Sequence, residues 1–147
     1  MQTFLPYPDF ERCARVLDRQ RLGKQRVECL QILRVLTGKT KGWRNHPAVL
    51  MWKGYELHLW RYAMVICREW IRRGYRDGCR CKLIEMFRRT RKHLGVEAPP
   101  WLGKRRFHEG HRSNLLRKNP KHYRRFWPKL RADLPYVWPV RKETPCA

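Results

Sequence analysis

The stretch "LDRQRLGKQRVECLQIL", residues 17–33, decides the fold class. Leu22, Cys29, Leu30 and Leu33, continued by Leu36, recur at helical spacing and mark one apolar side. Asp18 stands where an N-cap belongs, and Gly38 in "TGKTKGWRN" suits the C′ position after the last turn. Upstream, Asp9 caps a shorter pattern through Phe10, Cys13, Ala14 and Leu17. Downstream, Asn45-His46-Pro47 opens a long second helix that follows Val49, Trp52, Leu59, Ala63, Ile66 and Trp70 to Gly74. A third runs from about Cys81 through Leu83, Met86 and Phe87 to Leu94, with Gly95 ending it.

"VEAPPWLGKRRF" reads as a loop, "HRSNLLRK" as a short helix, and Asn119-Pro120 as the start of one more turn, "KHYRRFW". The remainder, residues 128–147, holds too many prolines for a helix and reads as an extended tail. No segment alternates as a strand. The expectation is one all-α domain spanning residues 1–147 with a Pro-rich C-terminal tail.

Charge narrows the function. Thirty-five Lys and Arg face twelve Asp and Glu, a net +23, while 42% hydrophobic residues supply a core. Such an excess repels itself unless a polyanion offsets it, and nucleic acid is the first candidate. No apolar run approaches the ~20 residues that span a bilayer, which argues against a membrane protein. "MQTFLPYPDF" lacks the blocks of a secretory signal, so the expected setting is the cytoplasm, at the nucleoid, with the six cysteines as free thiols. Cys29 and Cys67 fall in apolar helix patterns and read as core.

The polar side of the first quoted stretch carries one acid, Glu28, among Arg19, Arg21, Lys24 and Arg26. Positions 21, 24 and 28 share a helix face. A plain i,i+4 ion pair accounts for this as well as a phosphate-gripping rim around a carboxylate does. In a DNA-facing groove a carboxylate is repelled by phosphates, so its presence there needs a chemical purpose: moving a proton or stabilising a cationic sugar.

A second constellation, "FHEGHRSNLLRKNPKHYRRFW" at 107–127, interleaves His108, His111, Arg112, Arg117, Lys118, Lys121, Arg124 and Arg125 with Phe107, Tyr123, Phe126 and Trp127. Cations grip phosphates and rings stack on bases, although the same rings could serve the core. Rings at 126 and 127 cannot both point inward from one helix. Cys79, Cys81, His108 and His111 make a possible zinc set, but at unusual spacing, so no metal is expected.

These residues resemble a family, the small pyrimidine-dimer DNA glycosylases of the phage endonuclease V type. "QRLGKQRVE" has Gln20, Leu22 and Glu28 at the steps of the family's Gln-x-Leu element and catalytic glutamate. "CREWIRRGY" is similar to the end of its central helix, and "HEGHRSNL" and "HYRRFWP" to its later His-Glu helix and aromatic-basic patch. "LDRQRLGKQRVE" and "DLPYVWP" resemble the wording of the family's bacterial branch.

The resemblance implies base flipping in duplex DNA, attack of the chain's N-terminal amine on C1′, and strand cleavage by β-elimination with the glutamate assisting. An α-amine titrates at ~7.7–8.0, so part of it is neutral at pH 7. This sequence departs from the family in beginning Met1-Gln2, where a small second residue normally permits loss of the methionine, and in a longer segment before Glu28. Three routes stay open. The amine of Met1 acts, or Lys24 among its cations acts instead, or Glu28 activates water without a lyase step. The expected site is therefore Glu28, Met1 and Lys24 for catalysis, with Arg21, Arg26, His111, Arg112, Arg117, Lys121, Tyr123, Phe126 and Trp127 on DNA. No cofactor is expected, and the protein should act as a monomer. The rival reading is a non-enzymatic basic DNA- or RNA-binding protein.

Overall fold

Asp9 begins the first helix as expected, its carboxylate accepting the Arg12 amide at 3.0 Å. In the computed structural model, which describes residues 1–140, seven α-helices follow one another with no strand among the described residues. They are α1 (Phe10–Val16), α2 (Arg19–Leu36), α3 (Pro47–Leu50), α4 (Glu56–Arg72), α5 (Cys79–Thr90), α6 (Arg105–Lys118) and α7 (Pro120–Tyr123). Cys146 and the end of the expected tail lie outside the described residues, and 128–140 carry no regular helix. No helix of the described residues is long and apolar enough to cross a membrane.

α2 and α4 form the central pair, with α1 and α5 packed on α4. Leu22, Cys29, Leu30, Ile32 and Leu33 of α2 meet Leu59, Tyr62, Ala63, Ile66 and Cys67 of α4 in one core. Gly23 sits at the crossing: a Cβ there would come within 2.9 Å of the Trp70 ring, so the helices approach only because that position is bare. Arg73, just past α4, donates to the carbonyls of Ala14, Arg15 and Leu17 at 2.8–3.2 Å, satisfying the open end of α1. Gly38 has φ +77 as a C′ residue should.

Three element expectations need correction. The long second helix is two, α3 and α4, because the chain turns at Gly54 with φ +89. The Glu56 carboxylate secures that break, accepting the amides of Gly54 at 2.9 Å and Gly95 at 2.8 Å. The third helix ends at Thr90, and Arg91–His93 form a 3₁₀ turn. The fourth is not short: α6 begins at Arg105, inside the segment read as loop, since Phe107, His108, His111 and Leu115 all bury on its inner side.

Candidate active site

Glu28 is 8% exposed, on the rim where α2 meets the N-terminal segment. A partly open cleft of about 210 Å³ is lined by Met1, Gln2, Phe4, Gln20, Arg21, Lys24, Glu28 and Lys118. The chain's first residue and the single acid of α2 thus face the same space. Lys24 Nζ stands 3.8 Å from Glu28 Oε1 with its side chain 72% exposed.

What registers these groups is Gln25, fully buried one turn before Glu28. Its amide nitrogen donates to the Gln2 carbonyl at 2.6 Å and to Glu28 Oε2 at 3.2 Å. Its carbonyl accepts the Phe4 amide at 2.7 Å, and the Tyr62 hydroxyl lies 2.9 Å away. One side chain therefore fixes the N-terminal segment and the carboxylate against each other. Sequence reasoning missed Gln25, although a polar residue inside the apolar stripe of α2 was the available signal.

The rest of the segment is held by other helices. Leu5 donates its amide to His111 Nδ1 at 2.9 Å, and His108 Nδ1 donates to the Leu5 carbonyl at 2.8 Å. The Gly103 amide donates to His108 Nε2 at 2.8 Å, so His108 is neutral with its proton on Nδ1. Trp52 Nε1 donates to Thr3 Oγ1 at 3.1 Å, and Arg112 to the Pro6 carbonyl at 3.1 Å. Burial pushes the His111 imidazole down to about 3 and lowers His108 as well.

The structure places several of the residues expected on DNA in the interior. His111 is fully buried, and its ring lies against Phe107 and Tyr136 instead of a phosphate. Tyr123 is fully buried too: its hydroxyl donates to Asp18 Oδ1 and accepts the Asp18 amide, leaving Asp18 without a capping bond to its own helix. Trp127 stacks on Tyr123 and donates to the Tyr7 hydroxyl at 2.9 Å. Of the three expected surface rings, Phe126 alone is exposed, at 41%.

The cations divide likewise. Arg26 pairs with Asp77 and lies 4.3 Å from the Trp70 ring, tying α2 to the start of α5. Arg112 serves the N-terminal segment, and Arg117 donates to the carbonyls of Ala132 and Leu134 at 2.6 and 3.1 Å. Arg21 lines the cleft while bonded to Asp18 at 3.1 Å. Lys121 is exposed. Lys118, a cation of the second constellation left out of the expected DNA-contact set, borders the same cleft as Met1. Beyond Gln20 and Lys24 a wider open groove continues past Arg19, Gly23 and Asn119, so the cleft sits on a longer basic face.

Among the described residues no three His, Cys, Asp or Glu side chains gather as a metal site. His108 and His111 both spend ring nitrogens on Leu5.

No curated protein and no solved structure matches the chain. A family model described as pyrimidine dimer DNA glycosylase matches residues 1–83, which carry Met1, Gln25 and Glu28. The chain belongs to the pyrimidine dimer DNA glycosylase family, and is thereby a DNA-repair glycosylase in kind with DNA as its substrate.

Proposed function

We propose that the protein excises damaged pyrimidines, pyrimidine dimers foremost, from duplex DNA through an imine formed by the Met1 amine, with Glu28 as the catalytic carboxylate. The observation that carries this reading is that Met1 and Glu28 line one cleft and Gln25 bonds both the N-terminal segment and Glu28. An α-amine is the amine most available as a neutral nucleophile near pH 7.

In the first step the neutral amine bonds to C1′ as the C1′–N bond to the base breaks. The base leaves with the electron pair and takes up a proton. Loss of a proton from the new C–N nitrogen and opening of the sugar ring give the imine. Removal of a C2′ proton then expels the 3′ phosphate by β-elimination, and water releases the protein. Glu28 stabilises the cationic sugar and carries protons between these steps. Lys24, one turn before Glu28 on the same face of α2, is the reserve nucleophile. Arg21, Lys118 and Lys121 meet phosphates, and Phe126 offers an exposed ring. The route needs no cofactor. The reading extends to a monomer working at the nucleoid, supported by the net charge of +23.

Borohydride trapping on duplex DNA bearing one cyclobutane dimer, followed by peptide mapping, tests it. The expected adduct is on Met1 and disappears in Glu28→Gln. An adduct on Lys24 moves the nucleophile. Base release without an adduct leaves a glycosylase that activates water. Neither adduct nor release on this lesion removes the dimer reading and favours binding without catalysis.

A further inference from the structure

The loop joining α2 to α3, residues 37–46, holds the one non-glycine residue with positive φ among the described residues: Trp43, at +64°. A bulky side chain in that region is strained, and strain of this kind gathers at functional sites. Its indole is nevertheless 64% exposed, so core packing does not repay the strain. The Trp43 carbonyl accepts the His46 amide at 3.0 Å, and the indole meets the His46 ring edge-on at 5.7 Å. His46 is itself held, its Nδ1 accepting the Ala48 amide at 3.0 Å.

A row of rings leads from there to the N-terminal segment. His46 touches Trp138 edge-on at 6.1 Å, Trp138 packs on Tyr136 at 4.7 Å, and the Tyr136 hydroxyl donates to the Thr3 carbonyl at 3.5 Å. Burial and then the α-amine lower the His46 pKa while Glu28 opposes them, so the loop lies within the field of both proposed reacting groups. Lys39, Lys41 and Arg44 are exposed on the same loop, which carries no acid. None of the three is in an ion pair among the described residues.

We propose that Trp43 is a base-stacking residue: its indole stacks on a nucleobase displaced from the duplex next to the lesion, while Lys39, Lys41 and Arg44 hold the flanking phosphates. The inference rests on the reading that lesion-bearing duplex DNA is the substrate. An exposed ring beside unpaired cations is the combination that grips an unstacked nucleotide, through its π-face and its backbone together. Loss of one such stack weakens binding roughly 5- to 150-fold.

The test uses a duplex with one tetrahydrofuran abasic analogue, which cannot form an imine, and 2-aminopurine next to it in the same strand. With the wild-type protein the 2-aminopurine fluorescence should change on binding, and this duplex should be preferred over an undamaged one. Trp43→Ala should lose the fluorescence change and about 5- to 150-fold of that preference, with binding to undamaged duplex retained. Trp43→Phe should keep most of both. Trp43→Gly should match Trp43→Ala in binding while its Tm stays level or rises, because glycine relaxes the backbone at φ +64. The idea is overturned if Trp43→Ala keeps the wild-type signal and preference, if it weakens both duplexes equally, or if the wild type gives no signal. Trapping at Met1 with the wild-type protein decides the glycosylase reading separately.

Discussion

His111 occupies a place that a leucine would suit. It is fully buried on the inner side of α6 between Phe107 and Tyr136, yet its Nδ1 accepts the Leu5 amide. A leucine there would leave that amide without a partner, at a cost of about 1–3 kcal/mol. Protonation would turn the acceptor into a donor facing an N–H and set a charge among rings. With a folded pKa of about 3 against about 6.5 unfolded, the unfolded chain binds the proton first. Stability from this group is therefore complete above pH 6.5 and falls as pH drops from 6.5 toward 3. At pH 5 the expected loss is about 2 kcal/mol, to which the lowered His108 adds in the same direction. His111→Asn, which keeps an acceptor, should lose less stability than the wild type between pH 7.5 and pH 5 in urea titrations. An equal loss in both would remove His111 as the cause. The partnership with Leu5 was not legible in the sequence. A histidine among cations and aromatics fits a DNA surface, and nothing local marks a bond to a residue 106 positions away.

At the scale of elements, local signals reported what local physics decides. Periodicity found α1 and α2, and Gly38 marked the end of α2, because caps and apolar stripes act within a few residues. They failed at the joint between α3 and α4, where the apolar pattern runs straight through while the backbone turns. Trp52 is buried without belonging to a helix, which is what makes the pattern look continuous. Gly54 makes the turn possible: a methyl group there would meet open space, and φ +89 is the sole obstacle to one. Gly54→Ala should therefore cost about 1–2 kcal/mol from backbone strain alone. Chemical denaturation measures it, and an unchanged midpoint would mean that the joint adapts. The start of α6 was missed for a related reason: two of its inward residues are histidines, which a hydropathy pattern counts as polar.

For the whole molecule, the charge of +23 predicts a polyanion partner but does not say which cations meet it. Glu28 and Lys24 were legible because helix geometry alone brings them together. The division of arginines into those that build the fold and those left free was not, since it depends on carbonyls and acids far along the chain. Lys118 and Arg26 make the contrast measurable. Lys118→Ala should reduce the slope of log K against log salt for duplex DNA by about 1 and leave Tm unchanged. Arg26→Ala, which strands the buried Asp77 carboxylate, should lower Tm and leave the slope as it is. Reversed outcomes would exchange their roles. The anchoring of the N-terminal segment has a further consequence, for the order of events during synthesis. Residues 2–6 leave the ribosome long before their partners His108, His111 and Arg112, and the bonds that fix Leu5 and Pro6 span 103–106 positions. α1, α2 and α4 can assemble while α6 is still being made, but the segment beside Glu28 is locked on both sides only once α6 has emerged. A nascent chain released early would hold the carboxylate on its helix without the full set of bonds that seat the N-terminal segment, so a segment made before α6 is finished only after it.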